Sequence, residues 1–250
     1  MPCERRSGGA ECAVNAMTTI CGVDGCKAGW VAISKDLDSD RISWSVHSTF
    51  QKVALANPSL QVIAIDIPIG LPERGARQCD LQARRRLGPP RSSSVFPAPI
   101  RPVLTAESAD EASAIRYGVE AKKMSRQAFA ILPKIRQVDA ALRGDPELRR
   151  RVREIHPEVC FYFLAGGRPM HHSKKTVLGR AERKALLTPV FGDSVSEALE
   201  HRKILESAMD DVLDAFAALW TAERIVNGGC EIIPAIPLLD AFGLRMEMVA

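Results

Sequence analysis

The apolar positions of this chain fall first in short blocks and only later at helical spacing. Thr19 to Asp24 (TICGVD) has the pattern of a buried strand closed by an acid, and Gly25-Cys26-Lys27-Ala28-Gly29 is turn chemistry. Trp30 to Ser34 (WVAIS) predicts a second strand. Asp36 to Asp40 (DLDSD) turns the chain into Ile42 to His47 (ISWSVH), which alternates apolar and polar residues as a half-buried strand does. These runs predict a three-strand antiparallel meander. A short helical stretch, Gln51 to Ala56, leads to Gln61 to Ile67 (QVIAIDI). That near-continuous β-branched run is how a central strand covered on both faces reads.

From Leu71 to Gly144 the pattern predicts irregular loop with two or three helices. One of them, Met124 to Leu142, is kinked or broken at Pro133. Val152 to Ile155 is a short strand ending at His156-Pro157-Glu158. Arg180 to Leu187 and Ser196 to Leu205 have helical spacing, and Ser207 to Val226 is the strongest helix, closed by Gly228-Gly229. The order predicts an α/β fold: a mixed five-stranded sheet, with two parallel strands joined by crossovers, helices on both faces and a helical insertion. Residues 1–16 lack periodicity and an apolar run. They are expected to form a disordered tail rather than a secretory signal, with residues 17–250 as a single domain.

Composition narrows this little. Net charge is +4, which permits nucleic acid as a partner without demanding it. The seven cysteines include no CxxC pair and are odd in number, against both a disulfide scaffold and a zinc site. A reduced, cytoplasmic protein is expected. No stretch of about eighteen apolar residues is present to suggest a membrane span.

The candidate chemistry lies in acids set among apolar residues. Asp24 and Asp66 close the first and fourth strands, whose tips are neighbours at the usual site crevice of an open α/β sheet. Asp211 and Asp214 are three apart on the long helix and share a face, which continues as Ala218 and Ala222. Small residues there let the helix press onto the sheet. Carboxylates gathered so repel unless one is protonated or a cation lies between them, and metal is the simplest compensation. Glu154 and Glu158 flank His156-Pro157 and are candidates for the same cluster. Oxygen-only donors suit Mg²⁺ or Mn²⁺, with Asp24, Asp66 and Asp214 as ligands. Asp210 is expected to face solvent. The stretch Arg74 to Arg91 carries six arginines against one aspartate, and Arg91 is a candidate phosphate contact. Lys174 and Lys175, in the polar loop after His171-His172, are candidates for an anionic substrate.

Five strings are more specific. Gly22-Val23-Asp24-Gly25-Cys26-Lys27-Ala28-Gly29-Trp30 is the first. Asp66-Ile67-Pro68-Ile69-Gly70-Leu71-Pro72, Ser94-Val95-Phe96, Glu154-Ile155-His156-Pro157-Glu158 and Asp211-Val212-Leu213-Asp214-Ala215 follow. In this order, from about residue 19 to residue 228, they resemble the domain of unknown function 429 family, described as predicted RNase H-like nucleases. The resemblance implies an RNase H-like fold. It makes Asp24 the first-strand acid and places Asp66 at the second acidic motif. Asp211 and Asp214 are similar to the paired acids on the last helix of Holliday-junction-resolvase-like enzymes. Glu154 and Glu158 match the family's ExHPE element.

Three functions compete. The first is a metal-dependent nuclease acting on DNA or RNA with Asp24, Asp66, Asp211, Asp214, Glu154 and Glu158 as its acids. The second is a non-catalytic binding protein that keeps the fold. The third is a nucleotide-dependent phosphotransferase, whose relatives open with a similar Gly-x-Asp-x-Gly turn but need two such domains.

Overall fold

A computed structural model describes residues 18–57, 59–204 and 206–250. The tail expected at residues 1–16 lies outside them. The meander forms as the alternation predicts: β1 (Thr19–Cys26), β2 (Gly29–Asp36) and β3 (Ile42–His47) pair antiparallel. Helix α1 (Phe50–Leu55) returns the chain to β4 (Leu60–Ile65), which lies parallel to β1. The insertion then supplies α2 (Gln78–Leu87), α3 (Ala109–Glu120), α4 (Arg126–Ala130), α5 (Leu132–Gly144) and α6 (Pro146–Arg151). Strand β5 (Val152–Glu154) pairs parallel with β4, giving a mixed sheet of order β3-β2-β1-β4-β5. The pattern around Pro133 resolves into two helices, with Pro133 in the first turn of α5, where its missing N–H needs no partner.

After the sheet come α7 (Pro157–Leu164), α8 (Val177–Phe191), α9 (Ser194–His201) and α10 (Met209–Val226). Helix α8 begins three residues before the expected start, because the Thr176 side chain accepts from Gly179 N at 3.0 Å and caps it. The chain ends in a two-stranded hairpin, β6 (Ile232–Leu239) and β7 (Arg245–Val249), which the apolar pattern did not reveal. Its register is interrupted between Ile233 and Leu238, and Ile236, Leu238 and Leu239 point outward, so the strand has no clean alternation. No helix among the described residues is long and apolar enough to cross a membrane.

Strand alternation divides the core in two. Cys21 and Val23 of β1 with Ile63 and Ile65 of β4 face α5 and the insertion. Ile20 of β1 with Val62 and Ala64 of β4 face α10, α7, α8 and α9. Gly22 therefore points at α10, and the approach leaves no room for a side chain. A Cβ on Gly22 would meet Leu219 N at 2.1 Å and Ala215 O at 2.2 Å. Glycine at this strand position and alanine on the helix together allow backbone contact between sheet and helix.

Gly22→Ala should therefore force α10 off the sheet. We expect a loss of about 3 kcal/mol or more, or no folded protein, in urea unfolding followed by circular dichroism. A loss below about 1 kcal/mol would show that strand and helix do not meet backbone to backbone at Gly22.

Candidate metal centre

The period of two that puts Gly22 under α10 puts Asp24 under it as well, two residues further along β1. Asp66 has the parity of Val62 and Ala64, so it faces the same side. Its N–H donates to Val23 O at 3.0 Å, continuing the parallel ladder one step beyond β4 and setting Asp66 beside Asp24. Helix α10 brings Asp214 to the same place, about one turn before the Ala215–Leu219 contact with Gly22. One carboxylate oxygen from each of Asp24, Asp66 and Asp214 lies within 4.8 Å of the others, and no further acid, histidine or cysteine joins that group among the described residues. Asp24 and Asp214 are buried and Asp66 is half-buried, the member that meets solvent.

Three carboxylates so placed raise each other's proton affinity. Burial, then Asp66 and Asp214, hold the Asp24 carboxyl well above the ordinary carboxylate range. Burial also pushes Asp66 up to about 7, with Lys174 opposing and Asp214 adding. Asp214 is raised by burial against the pull of Lys174, whose Nζ lies 2.5 Å from Asp214 Oδ2. Asp214 Oδ1 is buried with no hydrogen-bond partner. A buried carboxylate oxygen without a partner, on a residue of a three-carboxylate group, is what a hard divalent cation would satisfy. The donor set thus fits such an ion.

The other acids have different employment. Asp211 is half-buried and accepts from Ala208 N at 2.9 Å, capping the first turn of α10, while its charge still acts on Asp24. Asp210, expected in solvent, is instead buried, and Lys175 Nζ reaches its Oδ2 at 2.5 Å. Glu154 does not join the triad. Its Oε2 accepts from Ile69 N at 2.6 Å and both its oxygens take Arg77 at 2.7 Å. Arg77 also donates to Asp80 Oδ1 at 2.6 Å and Ile69 O at 2.9 Å. This buried network clamps the Asp66–Leu71 loop. Glu158 pairs with Arg183, which donates to His172 O at 3.1 Å and Gly179 O at 2.8 Å and so holds the loop that carries Lys174.

Arg77 and Arg183 are the residues that reasoning from sequence missed. Arg77 lay inside the arginine-rich stretch, but it is buried and spent on two carboxylates, so it does not grip phosphate. Arg183 carried a signal. It shares one buried helix face with Gly179 and Leu187, and a cation there requires a buried acid. Arg91 Nη2 reaches His171 O at 3.4 Å, at the border of the Lys174 loop. Lys174 and Lys175 are both paired with acids of α10 rather than free.

A family model described as Protein of unknown function (DUF429) matches residues 22–238, beyond the expected end near residue 228 and into β6. No curated protein and no solved structure matches the chain.

Two outcomes check this geometry. Arg77→Met leaves Glu154 and Asp80 buried without their cation, and should cost about 3 kcal/mol or more in chemical unfolding; a near-neutral change would sever the clamp from stability. The second outcome is a pH dependence. Asp66 ionises near 3.8 when unfolded and near 7 when folded, so the folded state keeps an extra proton between those values. That stabilisation is complete below pH 3.8 and is lost as pH rises towards 7. His156, held down to about 4 by burial and then by Lys174, acts in the opposite sense, so the difference between variant and wild type is the cleaner measure. In EDTA, Asp66→Asn should gain on wild type by about 1 kcal/mol per pH unit across the window from pH 5 to 7. A difference that does not change with pH would take Asp66 out of the acid cluster.

Proposed function

For a chain that belongs to the DUF429 family, we propose the activity of a divalent-metal-dependent nuclease on an RNase H-like fold, hydrolysing phosphodiester bonds in nucleic acid. The observation that carries this reading is the convergence of Asp24, Asp66 and Asp214 within 4.8 Å, with one buried oxygen of Asp214 unpartnered. Asp24, Asp66 and Asp214 would hold Mg²⁺ or Mn²⁺, oxygen donors being what those ions prefer. A bound ion of this kind supplies Lewis-acid stabilisation of the charge that develops on a phosphoryl oxygen. The half-buried Asp66 side leaves an approach from solvent. Arg91, whose Nη2 reaches His171 O at the border of the Lys174 loop, would contact a phosphate of the substrate. Glu154 and Glu158 act through Arg77 and Arg183 as positioning residues, and Asp211 caps the helix that delivers Asp214.

One observation favours a second reading. Lys174 already neutralises part of the cluster, as it would in a binding protein that keeps the fold without the chemistry.

Cleavage of single-stranded, duplex and branched DNA and RNA separates the two. Activity should require Mg²⁺ or Mn²⁺, and Asp24→Asn should lower it by about a thousandfold, or about 4 kcal/mol of barrier, while the fold is retained. The same variant should melt higher than wild type in EDTA, because it removes one of three facing carboxylates. Equal activity in wild type and variant would exclude Asp24 from the mechanism. Absence of metal-dependent cleavage on every substrate would favour the binding protein.

A further inference from the structure

The triad already holds a cation that belongs to the chain. Lys174 Nζ sits 2.5 Å from Asp214 Oδ2, and its charge acts on Asp24 and Asp66 as well. The loop behind it is tied on several sides. His171 N and His172 N donate to Glu182 at 2.8 and 3.0 Å, and Arg183 holds His172 O. A Cβ on Gly179 would meet Ser173 O at 1.9 Å, so the loop packs directly on the start of α8. The backbone is therefore fixed, while the four-carbon stem of lysine remains rotatable. The Lys174 side chain is 34% exposed against 1% for Asp214, so the lysine that enters the cluster also reaches solvent.

An ammonium and a divalent ion cannot share this space cheaply. Both seek the same oxygens, and like charges a few ångströms apart repel strongly where water is scarce. Of the two, only the lysine has an exit, through the side by which it enters. Resting on the metal reading given above, we propose that Lys174 is the triad's built-in counter-cation, which a divalent ion displaces towards the solvent-facing mouth of the site. Two consequences follow. Without metal, Lys174 limits the mutual repulsion of the three acids and keeps α10 seated on β1. With metal, the released ammonium stands where an anionic oxygen of a phosphodiester would approach. Metal and polyanion should then favour each other's binding, since each removes a competitor of the other.

The test is binding rather than turnover. Mn²⁺ titrated calorimetrically into wild type and Lys174→Met should bind the variant about tenfold more tightly, because the competitor has gone. In EDTA the variant should melt lower than wild type. A measurement on wild type alone guards against a variant that does not fold. Acetylation of lysines followed by mass spectrometry should find Lys174 protected in EDTA and labelled several times faster in saturating Mn²⁺, with the exposed Lys175 as internal reference. Equal or weaker Mn²⁺ binding by Lys174→Met, or Lys174 labelling that ignores Mn²⁺, overturns the displacement and leaves the metal reading standing. Failure of both proteins to bind Mn²⁺ overturns the metal reading, and the displacement with it.

Discussion

The contact between Gly22 and the Ala215–Leu219 turn of α10 is the constraint on which the rest of this molecule depends. Backbone meets backbone there, and the helix axis lies closer to the sheet than side chains would ordinarily allow. From that point, two residues along β1 and about one turn back along α10 lead to Asp24 and Asp214. Their separation is thus set by glycine and alanine rather than by any attraction between the acids, which repel. The apolar wall of α10, from Val212 to Ala222, supplies the burial that holds the helix down against that repulsion.

Holding carboxylates together in a poorly hydrated place requires compensation, and the chain provides it at two depths. In the triad itself, Lys174 takes one oxygen of Asp214 and protons remain bound to pH values where free carboxyls have lost them. Around the triad, the buried acids are each paired with a cation. Arg77 serves Glu154 and Asp80, Arg183 serves Glu158, and Lys175 serves Asp210. Buried ion pairs of this kind add little net stability, but losing one partner is expensive, so they act as geometric pins.

The Glu-x-His-Pro-Glu element gains a physical meaning from these pins. Its two glutamates leave the end of β5 and the start of α7 in different directions. Glu154 reaches through Arg77 to the backbone of the loop that follows Asp66. Glu158 reaches through Arg183 to the loop that presents Lys174. His156 between them is half-buried, its Nε2 3.2 Å from Ser94 O, and so joins the Ser94-Val95-Phe96 segment to the same hub. One short element therefore fixes both the loop that follows Asp66 and the loop that carries Lys174.

Much of this was legible in the residues alone. Alternation marked the meander, the β-branched run marked β4 as central, and the small residues of α10 announced a close approach to the sheet. The setting of Asp24, Asp66 and Asp214 among apolar neighbours singled them out, because an acid in such context needs a reason. Those are local properties, readable one element at a time. Which acids share a site and which are pinned elsewhere was decided by tertiary structure. Glu154 and Glu158 also close or follow a short strand, yet each meets an arginine brought from 77 and 25 residues away. Asp210 and Asp211 are neighbours in the chain, but helix geometry turns one to Lys175 and the other to the helix cap. The terminal hairpin escaped notice because its apolar residues face outward without a period. Pairing partners, and hence the charge each acid keeps, depend on distances that close only when the chain has folded.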